Sequence, residues 1–234
     1  MVLKRKKKAA IQSQPRILIA SDNPKSPIAE QYRTIRTNLQ FASVDETLSS
    51  MMVTSAGPSE GKSLTTANLA VVFAQQGKKV LLVDADLRKP TIHYTFRLDN
   101  TMGLSSYLSS SQHLKTIVQQ SSVNNLDLVS SGPVPPNPSE LLGSKAMSRF
   151  IKESNQIYDM VIFDSPPVLA VTDSQVLSSE VDGTLLVVRS KQTENDAVVK
   201  AKELLTQSNA NILGAVLNDR EIKTNDYYKY YGNQ

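Results

Sequence analysis

Met51-Met52-Val53-Thr54-Ser55-Ala56-Gly57-Pro58-Ser59-Glu60-Gly61-Lys62-Ser63 decides how the rest of the chain is read. A short apolar run passes into small residues, then into Gly61-Lys62-Ser63, then into an alanine-rich helical pattern. Strand, small-residue loop and helix in that order make a cradle for an anion. The loop turns its amides inward, and a helix beginning at about Lys62 adds free N–H groups and its positive dipole end. Lys62 supplies a point charge for the outer phosphates of a nucleotide, and the Ser63 hydroxyl can ligate magnesium. Gly57, Pro58, Ser59, Glu60, Gly61, Lys62, Ser63 and Leu64 are the candidate nucleotide-binding residues. The loop departs from its plain form, with Ala56 at the first of eight positions and Ser59 where such loops carry glycine. A positive φ at Ser59 costs about 1 kcal/mol more than at glycine.

Outward from this loop, Val80-Leu81-Leu82-Val83, Met160-Val161-Ile162-Phe163 and Thr184-Leu185-Leu186-Val187-Val188 are continuous apolar runs. Leu126-Asp127-Leu128-Val129 and the stretch from Ile212 to Leu217 are weaker ones. Runs that do not alternate, separated by helix-length segments, predict a parallel sheet covered on both faces. The fold class is α/β, a P-loop NTPase with a mainly parallel central sheet and helices on both sides.

Helices are expected from Ser63 to about Gln76, closed by Gly77, from near Asn137 toward Glu153, and from about Asn195 to Gln207. Another, about 26–42, starts at Ser26-Pro27 and carries Ile28, Tyr32, Ile35 and Leu39 on its apolar side. Glu30, Arg33 and Arg36 line its charged side, with Glu30 three residues before Arg33. Ile17-Leu18-Ile19 reads as a short extended run. The proline-rich segment Ser130 to Pro138 reads as a stiff loop.

Two further strand ends carry acids. Val83 runs into Asp84-Ala85-Asp86-Leu87-Arg88-Lys89-Pro90, and Phe163 into Asp164-Ser165-Pro166-Pro167. The carboxyl ends of parallel strands face one crevice, so Asp84, Asp86 and Asp164 can approach the phosphates. Carboxylates beside a triphosphate repel it unless a cation lies between, which makes Ser63, Asp84, Asp86 and Asp164 the candidate magnesium ligands. His93 lies five residues beyond Arg88 and His113 falls in a polar helix pattern, so neither serves these motifs. Proton removal from an incoming hydroxyl then falls to Asp86 or Asp84, with Lys62 stabilising charge. Asn218 and Arg220, after the last strand, are candidates for the edge and face of adenine.

The 234 residues suit one medium domain: an arm at 1–15, a domain at 16–222 and a tail at 223–234. The absence of cysteine excludes disulfides, thiolate metal sites and a cysteine nucleophile. No eighteen-residue apolar stretch occurs, so the chain reads as soluble. The net charge is +4, and Lys4, Arg5, Lys6, Lys7 and Lys8 account for five positive charges. This basic arm suits a membrane surface, a nucleic acid, an acidic partner or plain solvation; no specific nucleic-acid motif accompanies it. Tyr227, Tyr228, Tyr230 and Tyr231 crowd the tail, half of the eight tyrosines in the chain.

These motifs together resemble the bacterial tyrosine kinases that control capsule and exopolysaccharide synthesis. The resemblance rests on the helix motif Glu30 to Asn38, the loop Gly57 to Ser63, the two acidic motifs, the proline-rich segment running on to Leu141, and the tyrosine tail. It implies ATP and magnesium at Lys62 and Ser63, with Asp84, Asp86 and Asp164 completing the metal and catalytic set. It implies autophosphorylation at Tyr227, Tyr228, Tyr230 and Tyr231, the tail of one subunit entering its neighbour's site. It also implies ring assembly through Glu30, Arg33 and Arg36. A membrane-protein activator whose cytosolic tail docks on the kinase would recruit it from the cytoplasm to the inner face of the membrane. The competing reading is a partitioning or division-site ATPase; Gly57, where those proteins carry a second lysine, and the tyrosine tail count against it.

Overall fold

The computed structural model describes residues 17–42, 48–110 and 112–221. The basic arm and the tail with Tyr227, Tyr228, Tyr230 and Tyr231 lie outside the described residues. The chain opens with α1 (Ile19–Asp22) and α2 (Pro27–Ala42), then β1 (Ser50–Ser55), α3 (Lys62–Gln75) and β2 (Val80–Asp84). Three short helices follow, α4 (Ile92–Phe96), α5 (Leu104–Ser109) and α6 (Leu114–Ile117), then β3 (Val118–Gln120) and β4 (Leu126–Val129). The second half runs through α7 (Pro138–Leu142), α8 (Lys145–Asn155), β5 (Met160–Asp164), α9 (Asp173–Ser178), β6 (Gly183–Arg189), α10 (Asn195–Gln207) and β7 (Ile212–Asn218).

The strands form one sheet in the order β3-β4-β2-β5-β1-β6-β7, parallel except for β3 at one edge. The apolar runs are continuous because both faces are covered. Leu81, Val83, Val161 and Phe163 pack with Phe150, Met147 and Leu205 on one side. Val80, Leu82, Met160 and Ile162 pack with Phe73, Leu69 and Leu39 on the other. Alternate strand residues thus feed two separate cores, as the two-residue period requires.

Four sequence expectations are corrected. The run at Ile17 to Ile19 is no strand: Leu18 precedes a helical turn whose Ala20 N–H donates to Asn68 Oδ1 at 2.9 Å. Gln75 Nε2 donates to Ala20 O at 2.8 Å, so side chains of α3 hold this segment in place of a sheet edge. The helix expected from Asn137 toward Glu153 is two helices, α7 and α8. A Cβ at Gly143 would stand 3.0 Å from Val176 Cγ1, and Ser144 is extended, so the chain breaks where it passes α9. Ile28 is 49% exposed, and Ala29, with Tyr32, Ile35 and Leu39, forms the inner side of α2. His113 does not lie within a helix; it is the extended residue before α6.

Ser26 does cap α2, its Oγ accepting from Ala29 N–H at 3.2 Å. Arg33 pairs with Glu30 and also donates to Pro24 O at 2.7 Å, while Arg36 donates to Val72 O at 2.8 Å. The charged side of α2 is therefore partly engaged with its own chain. Among the described residues no helix is long and apolar enough to cross a membrane.

Candidate functional site

Parallel pairing settles where the acids lie. Asp84 on β2 and Asp164 on β5 are direct register partners, and β1, which feeds the phosphate loop, pairs with β5 on its other side. The loop between β1 and α3 and both acidic motifs therefore open at the same end of the sheet, the crevice side expected of such folds.

Lys62, in the first turn of α3, reaches across this end. Its Nζ stands 3.2 Å from Asp164 Oδ1 and 3.3 Å from Asp86 Oδ2. It is also 3.2 Å from Ser63 Oγ. Ser63, Asp86 and Asp164 thus lie within 3.3 Å of one ammonium, and Asp84, the register partner of Asp164, adds its charge to the same site. Thr66, one turn on in α3, places its Oγ1 3.3 Å from Asp164 Oδ1. Burial lowers the Lys62 pKa, but the charges of Asp164, Asp86 and Asp84 outweigh it and the net shift is upward.

Asp84 is the most constrained acid. Its Oδ2 accepts from the N–H groups of Thr91 and Ile92, each at 2.9 Å, so α4 begins on this carboxylate. Burial, then the charge of Asp164, pushes its pKa up, against those two amides and Lys62, to about 7. Burial likewise raises the Asp164 carboxyl, with Lys62 opposing. Asp86 accepts from Lys89 N–H at 3.0 Å, which curls its motif back over the strand end.

The set fits a hydrated divalent cation. Asp84 Oδ1 and Asp164 Oδ2 are buried without a hydrogen-bond partner among the described residues, an arrangement that a cation or its water satisfies. These acids do not converge into a three-ligand cluster by themselves, because the Lys62 ammonium stands between them.

The phosphate loop has the strain that its sequence implied. Ser59 has φ 64° and Gly61 φ 88°. A Cβ on Gly61 would meet Asn218 Nδ2 at 2.1 Å, so this glycine serves both the backbone conformation and a close approach. Gly57 N–H donates to Glu60 Oε1 at 2.9 Å, closing the loop on itself. A cavity of about 400 Å³ opens beside it, between Pro58, Glu60, Leu169, Ala170 and Thr193. Leu64 is partly exposed just beyond the loop. Asn218 lies at the loop, donating to Glu60 O at 2.9 Å, whereas Arg220 is exposed past the end of β7.

Several residues of this site escaped the sequence reading. Arg88 binds the fully buried Asp173 by two hydrogen bonds of 2.9 Å, and Ser139 Oγ donates to the same carboxylate at 2.6 Å. This fastens the second acidic motif to α7 and α9. Arg189 donates to Ser59 O at 3.2 Å. Arg88 stood inside a quoted motif without a partner, and no local signal marks Arg189.

Residues 52–209 match the AAA domain family. The chain is 54% identical over 217 residues to the tyrosine-protein kinase YwqD of Bacillus subtilis, covering 93% of this chain and 92% of that protein. It is 41% identical over 216 residues to CapB, a putative tyrosine-protein kinase of Staphylococcus aureus, covering 92% and 95%. The kinase domain of the Escherichia coli tyrosine kinase ETK superposes with a TM-score of 0.84 at 37% identity, covering 93% of this chain and 88% of that one. With its phosphate loop and its acids on adjacent strand ends of a parallel sheet, the chain belongs to the bacterial tyrosine-protein kinases built on this AAA domain.

Proposed function

We propose that the chain, a protein-tyrosine kinase by family, transfers phosphate from ATP to tyrosines of its own C-terminal cluster in a neighbouring copy, and so regulates capsular or exopolysaccharide synthesis. The observation that carries this is the position of the Lys62 ammonium, between Asp86 and Asp164 at the mouth of the phosphate loop.

Magnesium ATP, when bound, supplies the phosphoryl group and the cation that lets carboxylates and phosphates stand together. Lys62, Ser63 and the loop amides hold the nucleotide and spread the charge of the group in transit. Asp86 or Asp84 is the proton acceptor for the phenol. Asp84, with its pKa near 7, is matched to neutral pH, while Asp86 keeps slight access to solvent. The cavity beside Pro58 and Leu169 has room for an aromatic ring. Asn218 and Arg220 take the adenine end.

A twelve-residue segment reaches up to roughly 40 Å when fully extended, a reach that supports entry of the tail into an adjacent subunit. The subunits join as a ring through the Glu30, Arg33 and Arg36 side of α2, where the Glu30 side chain is 51% exposed. A membrane-protein activator docks on the kinase and holds it at the inner face of the membrane, with the basic arm adding attraction to anionic lipid.

The test is incubation with ATP and magnesium followed by phosphotyrosine detection. Wild type gives signal; Lys62→Met and the quadruple change of Tyr227, Tyr228, Tyr230 and Tyr231 to Phe do not. Release of inorganic phosphate with no phosphotyrosine in wild type overturns the proposal in favour of a plain ATPase.

A further inference from the structure

Two consecutive carbonyls of the phosphate loop are held from outside it, by side chains at the ends of β6 and β7. Arg189, the last residue of β6, donates from Nη1 to Ser59 O at 3.2 Å. Asn218, the last residue of β7, donates from Nδ2 to Glu60 O at 2.9 Å. Arg189 is itself braced, since its Nε and Nη2 both donate to Asp219 Oδ2, at 3.0 and 2.8 Å.

The loop needs this hold. Ser59, at φ 64°, is a non-glycine residue in the left-handed region, a conformation that L side chains rarely adopt. A trans peptide places each carbonyl opposite the N–H of the following residue. Drawing the oxygens of Ser59 and Glu60 toward Arg189 and Asn218 therefore turns the N–H groups of Glu60 and Gly61 the other way. Those amides belong to the set that must face an anion if the loop is to bind one. A guanidinium suits the task because its fork serves Asp219 and Ser59 O at the same time.

We propose that Arg189, braced by Asp219, is a positioning residue: it holds Ser59 in its left-handed conformation and keeps the loop amides in phosphate-binding order, replacing the freedom that a glycine would give there. The proposal rests on the reading of the loop as the nucleotide site. It also joins the phosphate cradle to the turn after β7, so that loop order and the Asn218 to Arg220 segment change together.

The test is a double-mutant cycle on affinity for a fluorescent ATP analogue with magnesium, in the full chain. Arg189→Ala raises the dissociation constant about tenfold, the effect of losing one charge-assisted hydrogen bond. Ser59→Gly in the Arg189→Ala background recovers most of that loss, because glycine takes the left-handed conformation unaided. In turnover, Arg189→Ala raises KM for ATP more than it lowers kcat. Arg189→Lys, which keeps the charge without the fork, gives an intermediate affinity that Ser59→Gly also improves, and it serves as the test pair if the alanine variant does not fold. Wild-type affinity in Arg189→Ala, or a loss that Ser59→Gly leaves untouched in either background, overturns the proposal. Failure of the wild-type chain to bind nucleotide at all would overturn the reading of the loop instead.

Discussion

Lys62 Nζ lies 3.2 Å from Asp164 Oδ1, a buried contact between residues 102 positions apart, and it links the helix after the phosphate loop to the strand that pairs with both β1 and β2. The ammonium is thus a counter-ion to three buried acids. Lys62→Met is expected to abolish tyrosine phosphorylation and also to destabilise the nucleotide-free protein by about 2–4 kcal/mol, since it leaves buried carboxylates without their nearest cation. Urea unfolding at pH 5.5 and pH 8 checks this. The deficit is larger at pH 8, where the acids cannot relieve the repulsion by taking up protons.

Asp84 opposes the fold that contains it. Its carboxyl keeps a proton up to about pH 7 in the fold, against 3.8 for an unperturbed aspartate. A folded pKa raised above the unfolded one means that stability is full below pH 3.8 and is lost as pH rises toward 7. Asp84→Asn keeps an oxygen for the Thr91 and Ile92 amides and removes the titration. The variant should be inactive yet melt higher than wild type in the absence of nucleotide, with a larger gain at pH 8 than at pH 5. Equal gains at the two pH values would show that Asp84 is not the group responsible.

The sheet was readable from sequence because its strands are buried on both faces and end in chemistry. Val80 to Val83 and Met160 to Phe163 are uninterrupted apolar runs, and the acid that closes each one marks the strand end to the residue. β3 was not readable, for Val118-Gln119-Gln120 is a three-residue edge strand in which Val118 alone packs against the core, too little to leave a pattern. The break between α7 and α8 was hidden because Gly143 is set by Val176, a contact from another helix. At the site, Asp84 and Asp164, which end β2 and β5, and Asp86, two positions on, could be placed by topology alone. Arg88 with Asp173 and Arg189 with Asp219 could not, since these pairs join positions 85 and 30 apart and no periodicity encodes them.

Arg88 therefore gives a prediction that only the fold supplies. Asp173 is fully buried, and its charge is matched by two Arg88 nitrogens and the Ser139 hydroxyl. Arg88→Ala leaves that carboxylate with one hydroxyl donor and no cation. Because the Arg88 side chain is 40% exposed, the expected loss is about 2 kcal/mol, short of that for a fully buried pair. Chemical denaturation measures it. The double variant Arg88→Ala with Asp173→Asn should recover part of the loss, because the orphaned charge is gone.

Tail phosphorylation should alter assembly. Each phosphotyrosine adds about −1.5 to −2 charge, so several on one tail repel each other and the acidic crevice of Asp84, Asp86 and Asp164. Light scattering before and after ATP is expected to show a ring giving way to smaller species. An assembly of constant mass after full phosphorylation would rule this out.

Gly61 and Gly77 separate two reasons for conserving space in a backbone. Both have positive φ, 88° and 94°, so alanine at either position carries a strain of roughly 1 kcal/mol. They differ in surroundings: a Cβ at Gly77 meets nothing within 4 Å, whereas one at Gly61 would lie 2.1 Å from Asn218 Nδ2. Gly77→Ala should thus lower stability by about 1 kcal/mol and leave nucleotide affinity intact, because it only closes α3 at the end remote from the loop. Gly61→Ala must displace Asn218, free the Glu60 carbonyl and disturb the loop between Ser59 and Lys62. Its stability loss should reach about 2 kcal/mol or more, and its affinity for magnesium ATP should fall by at least tenfold. Adding Asn218→Ala to Gly61→Ala relieves the collision but not the backbone strain, so it should return part of the stability and little of the affinity. Thermal melts and nucleotide titrations on these three variants and the wild type measure both quantities, and a full return of affinity in the double variant would mean that Asn218 contributes bulk alone to the loop.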